Sequence, residues 1–248
     1  MPFRDFTYKD SNFRILCSCF DVVVGEIRRQ RSLLEAYIVR HPEFHTSMTP
    51  VGLLPDAPEI ARRMTFAAAA VGVGPMAAVA GTIAQMAAEI AIDRGGRQVI
   101  VENGGDIFLA GTSPATVGLY AGPGRIGGRL AFAVTPEHLP LAICSSSSRM
   151  GHSTSLGDCD LATVVAQNAS LADAAATHAC NLVRSPQDID KALECIASIK
   201  GVIGALIAKG ERIGVIGDLP ELVRNRDPAK NHKITRDRNS DIFEKPRS

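Results

Sequence analysis

Missing from this chain is any Cys-x-x-Cys pair. Its six cysteines (Cys17, Cys19, Cys144, Cys159, Cys180, Cys195) are scattered, which excludes a zinc ribbon or a thioredoxin-type motif and fits a reducing cytoplasm. A surplus of one charge is missing too. The formal net charge is +1, so neither nucleic acid nor a membrane surface is expected as the main partner. The opening MPFRDFTYKD has no apolar signal core, and the longest apolar helix candidate, Met76 to Ile92, is interrupted by Gln85 and Glu89. Neither export nor a transmembrane span is expected. There is no Gly-x-Ser-x-Gly elbow to frame a Ser-His hydrolase. No helix pattern follows Gly122, Gly124, Gly127 and Gly128, which rejects a dinucleotide fingerprint.

What is present suits a sizeable core: 248 residues, 46% of them hydrophobic. Strand-like and helix-like stretches both recur along the chain. Phe6–Tyr8, Phe13–Cys17 and Phe20–Val24 read as an opening β-meander. Glu26 to about Arg40 has helical apolar spacing. A proline-broken loop, 41–55, leads to a helix over Ile60–Val71, with Asp56 as N-cap, Pro58 in the first turn and Gly72 as its stop. A small-sided helix starts at Pro75 and ends near Asp93.

Val99 to Ala110 (VIVENGGDIFLA) is a hairpin with its turn on Asn-Gly, and the chain is organised around it. Strands follow at Val117–Tyr120, Arg129–Val134, Leu141–Cys144 and Leu161–Ala166. Ser170 is the expected cap of a helix from Leu171, Pro186–Ile199 is a further helix, and Val202–Ala208 with Arg212–Ile216 form a closing hairpin. Residues 1–219 read as one domain. From Pro220 the composition turns charged, and 220–248 is expected to be an extended or partly disordered tail.

Three segments carry chemistry. In Asn103-Gly104-Gly105-Asp106, consecutive glycines bare backbone N–H groups to an anion, while the carboxylate can address a metal or a ribose. In Ser145-Ser146-Ser147-Ser148-Arg149, followed by His152, hydroxyls backed by a guanidinium and an imidazole suit phosphate oxygens. Asp173, Thr177 and Asn181 are spaced by four, so they form one polar helical stripe of hard oxygen donors suited to Mg²⁺.

The ENGGDI, GVGPMAAVAG, ICSSS...GHSTSLG and LADAAATHACN segments, in that order, resemble the UPF0280 family, a branch of the ApbE-like superfamily, over roughly residues 3 to 217. The resemblance implies an ApbE-like α+β fold, with antiparallel or mixed sheets packed with helices. It also implies the superfamily's chemistry: FAD is bound, Mg²⁺ assists cleavage of its pyrophosphate, and FMN passes to a hydroxyl of an acceptor protein. By the resemblance, Gly104, Gly105 and Asp106 match the flavin-nucleotide segment, and Asp173 and Thr177 match metal-holding residues. Where transferases carry a Lys-Gly segment with a following Asp, this chain has Gly74-Pro75-Met76-Ala77-Ala78-Val79.

Three readings stay open. One is a nucleotide- or phosphate-binding protein with Mg²⁺, held by Asp106, Asp173 and Thr177, with or without flavin transfer. Another is sulfur assimilation from sulfide to homocysteine, a role linked to the resembled family, with Cys144 as the reactive thiol. The third is a non-catalytic assembly protein with a vestigial pocket. A homo-oligomer is the expectation over a monomer.

Overall fold

The computed structural model describes residues 1–121, 128–148 and 157–226. Gly122, Gly124, Gly127, Arg149, His152 and the chain after residue 226 lie outside the described residues.

Eight strands form the main sheet: β1 (Arg4–Tyr8), β2 (Ser11–Leu16), β3 (Val99–Asn103), β4 (Asp106–Ala110), β7 (Leu141–Ser146), β8 (Leu161–Ala166), β9 (Val202–Lys209) and β10 (Arg212–Gly217). They lie side by side in that order, and every pairing is antiparallel. A second sheet has the order β11 (Glu221–Arg224), β6 (Leu130–Val134), β5 (Ala115–Leu119), also antiparallel.

Alternation along the strands divides the core in two. Val99, Val101, Phe108, Ala142, Cys144 and Val164 face the helices. Ile100, Leu109, Ile143 and Val165 face the opposite way and pack against Val117, Leu119, Phe132 and Val134 of the small sheet. The main sheet is thus buried on both faces, which explains why its central strands read as nearly unbroken apolar runs.

The helices are α1 (Phe20–Arg40), α2 (Glu43–Thr46), α3 (Glu59–Val71), α4 (Val79–Asp93), α5 (Ala169–Leu182) and α6 (Ile189–Ala197). A short 3₁₀ turn, Pro75–Ala78, leads into α4. Among the described residues, Pro75–Asp93 is the one helical stretch long and apolar enough to cross a membrane by composition. Here it is a core helix, with Ile83, Ala84, Ala87, Ala88 and Ala91 buried.

Several local expectations are corrected. Phe20–Val24 is not a strand but the first turn of α1. Val23 heads the buried stripe Val23, Ile27, Gln30, Leu34, Tyr37, and packing along that stripe overrides the β preference of three consecutive valines. Asp56 does not cap α3; it pairs with Arg40, and Pro58 stands at the cap position, before the first turn rather than in it. Ser170 does not cap α5. Asn168 does, accepting from the Leu171 N–H at 2.9 Å, while Ser170 is buried against Thr82.

The hairpin turn is Gly104-Gly105 rather than Asn-Gly, because Asn103 pairs with Asp106 across the ladder. Gly104 takes a φ of 70° there, a conformation that favours glycine. Residues 221–224, beyond the boundary drawn at Pro220, are paired to β6 as β11.

Candidate functional site

The β3–β4 ladder register places Asn103 beside Asp106, and β4–β7 pairing places Asp106 beside Cys144. Partners in register share a face, so all three side chains turn toward the helices at the end of the sheet. Asn103 and Asp106 are both buried. Over them lies α5, whose Asp173, Thr177 and Asn181 line one side of a cleft of about 1500 Å³. Asn103, Gly104, Gly105, Asp106, Ser145, Ser146 and Ser147 line the same cleft.

Helix α4 begins here without a capping side chain of its own. Asp173 supplies the missing acceptor from α5: its Oδ2 accepts from the Gly81 N–H at 2.9 Å, and the carboxylate also accepts from the Ala80 N–H. The Ala80 carbonyl in turn accepts from Asn103 Nδ2 at 3.3 Å. One turn of α4 is therefore held between the hairpin and α5.

The electrostatics are those of two buried carboxylates facing one another. Among the described residues neither has an ion-pair partner, and Asp106 Oδ1 has no hydrogen-bond partner at all. Burial pushes the Asp106 carboxyl up to about 7, against the opposing effect of hydrogen bonds from Cys144 and the Ser145 N–H. Burial, and then the charge of Asp106, push Asp173 well above the usual carboxylate range. Two such groups would rather share a cation than ionise bare.

The donor set is chemically apt for a hard ion: two carboxylates and the Thr177 hydroxyl, with one carboxylate oxygen unpartnered. Among the described residues no three His, Cys, Asp or Glu side chains cluster to hold a metal. An ion here would draw further oxygens from water or ligand phosphate, as Mg²⁺ habitually does.

The serines divide by strand alternation. Ser145 faces away from the helices and bonds Thr163 at 2.9 Å. Ser146 shares the face of Cys144; its hydroxyl is buried and unpartnered. Ser148 turns from the cleft to accept from the Cys159 N–H at 3.0 Å, with its Oγ 3.3 Å from Cys180 Sγ.

Cys144 is fully buried, its Sγ also 3.6 Å from the Ala169 carbonyl oxygen. Burial, with Asp106 and Asp173 adding to it, drives its thiol well up and holds it protonated. The sequence reading put no site residue near Val223 to Arg226, yet these line the cleft. Four strand residues at the head of a charged stretch gave too short an alternation to separate from a tail.

An eight-stranded antiparallel sheet, helices on one face, a small sheet on the other and a cleft over a Gly-Gly-Asp hairpin define an α+β protein of ApbE-like fold. The family model described as AbpE bacteria matches residues 20–207. The UPF0280 protein of Methanocella arvoryzae is 41% identical over 203 residues, covering 82% of this chain and 82% of that protein. The UPF0280 protein of Methanocaldococcus jannaschii is 40% identical over 203 residues, covering 80% and 82%. The chain belongs to this UPF0280 family of ApbE-like proteins.

Among solved structures, the ApbE protein of Thermotoga maritima superposes with a TM-score of 0.52 at 13% identity, covering 91% of this chain and 97% of that one. The flavin transferase ApbE of Vibrio cholerae gives 0.50, also at 13% identity, with 91% and 97% coverage. At that identity the likeness is one of fold.

Proposed function

We propose that the cleft binds a phosphate-bearing nucleotide of the FAD class together with Mg²⁺, and that FMN transfer to a hydroxyl of an acceptor protein is the reaction this site serves. The observation that carries the reading is the buried Asp106–Asp173 pair lining the cleft, with one Asp106 oxygen buried and unpartnered. Asp106, Asp173 and Thr177 would hold the ion. When bound, Mg²⁺ supplies charge neutralisation for phosphate oxygens as a pyrophosphate is cleaved.

The chain's own residues do the rest. Gly104 and Gly105 keep side chains out of the ligand's path, Ser146 offers an unspent hydroxyl, and the α4 turn fixes one Asp173 oxygen so that the carboxylate cannot rotate away. Val73, Met76, Ala77 and Ile83 line the cleft with apolar surface, and Met76 and Ala77 belong to the Gly74–Val79 stretch that stands in place of the Lys-Gly segment. Apolar lining lowers the local dielectric and strengthens the charge contacts beside it. The sulfur reading gains no such support, because a buried thiol held protonated between two carboxylates is a poor nucleophile.

The test is an equilibrium titration with FAD, with and without Mg²⁺, on the wild type, Asp106→Asn and Thr177→Val. Saturable, Mg²⁺-dependent binding is expected in the wild type. In Asp106→Asn it should weaken by at least about tenfold, the scale of one charge-assisted contact. Wild-type protein that binds no FAD in either condition overturns the reading.

A further inference from the structure

Strand β11 brings charge to the cleft from the small sheet, which covers the face of the main sheet away from the helices. Its register aligns Arg224 with Leu130 of β6, and Leu130 with Leu119 of β5. Leu119 is buried in the core between the two sheets, with Leu130 packed against it, so the Arg224 side chain starts from the face of the small sheet that looks at the main sheet. Both Arg224 and the following Arg226 line the cleft.

The other cleft arginines are occupied: Arg14 pairs with Glu102 and Asp5, and Arg31 with Asp10. Among the described residues Arg224 and Arg226 have no carboxylate partner. A cleft lined both by two carboxylates and by an unpaired guanidinium is charge-matched to a ligand that brings its own anionic groups. A planar fork of N–H donors matches phosphate oxygens better than any neutral group does.

We infer that Arg224 binds an anionic group of the cleft's ligand, so that a phosphate-bearing ligand is gripped both over the Asp106–Asp173 pair and from β11, with Arg226 adding to the positive wall; this rests on the nucleotide reading above. Arg224 thereby sets specificity for phosphorylated over neutral ligands. The residue lies at an exposed strand end, so replacing it leaves both cores untouched.

The experiment measures FAD affinity in the presence of Mg²⁺ at several salt concentrations for the full chain, Arg224→Gln and Arg224→Lys, with melting temperatures to confirm folding. Arg224→Gln should bind FAD about tenfold or more weakly than wild type and with a shallower salt dependence, since one screened charge contact has gone. Arg224→Lys should keep the wild-type salt slope and part of the affinity. Wild-type affinity and wild-type salt slope in Arg224→Gln overturn the inference while leaving the nucleotide reading standing. A wild-type protein with no FAD binding fails the nucleotide reading itself, and the role given to Arg224 goes with it.

Discussion

Asp173 has two tasks, and separating them decides how any mutation there is read. One carboxylate oxygen accepts the Gly81 N–H, and the Ala80 N–H also points at the group. A residue on α5 thus caps α4 across a sequence distance that no local capping signal reveals. Asp173→Ala leaves two buried N–H groups without an acceptor. Metal-free protein carrying it should lose about 1–3 kcal/mol of unfolding free energy, measured by urea denaturation. Asp173→Asn retains an acceptor oxygen, so it should lose markedly less while still weakening Mg²⁺-dependent binding. Equal losses in the two variants would mean that the capping contact contributes little. Asp106 accepts fewer backbone bonds and keeps a bare oxygen, and so it gives the cleaner test of ligand binding.

At the scale of elements, α4 and α5 cap each other. Gln85 on α4 accepts the Ala169 N–H at 2.7 Å, which satisfies the start of α5, and Asp173 on α5 does the same for α4. Gln85 interrupts an otherwise apolar helix for this reason. Close approach of the two helices depends on Gly81: a Cβ there would stand 2.4 Å from the Ala169 carbonyl oxygen and 2.9 Å from Asp173 Cβ. In an exposed helix Gly→Ala stabilises by about 1 kcal/mol. Gly81→Ala should instead destabilise by at least about 2 kcal/mol in a denaturant titration, because backbone rather than a flexible side-chain tip blocks the added carbon.

The sequence showed that α4 is small-sided, since alanines at helical spacing are visible by eye, but it did not show what presses against it. The same limit applies elsewhere. Strand positions were legible from β-branched runs bounded by glycine, and the Gly-Gly-Asp hairpin from its turn residues. Phe20–Val24 was not legible, because a triplet of valines looks the same in a strand and at the head of a buried helical stripe. β11 and Arg224 were hidden because the strand is short and its partner, β6, lies some ninety residues earlier.

For the whole molecule, the antiparallel sheet brings β4 and β7 side by side and lays α5 over them, so carboxylates 67 positions apart in sequence numbering, Asp106 and Asp173, meet with no ion-pair partner among the described residues. That arrangement costs stability in the metal-free protein, and pH should expose the cost. The Asp106 carboxyl sits at about 7 when folded, against an ordinary value of 3.8. Between those values the folded chain keeps a proton that the unfolded chain has released, so unfolding sheds protons and stability falls as pH rises. The contribution is fully present below about pH 4 and is lost through pH 7, at up to about 1.4 kcal/mol per pH unit for one proton.

Carboxylates held below their usual range, such as Glu26 beside Arg29 and Asp188 beneath the Ser185 and Arg184 N–H groups, act in the opposite sense and lose their contribution on acidification. The comparison must therefore be a difference between proteins. In EDTA, the melting temperature of wild type minus that of Asp106→Asn should fall from about pH 4 to about pH 7 and level off above it. With Mg²⁺ present that fall should shrink, because the ion replaces the proton as the charge that lets both carboxylates stay buried. Parallel curves for the two proteins in EDTA would mean that Asp106 ionises freely in the folded state and that the pair needs no cation.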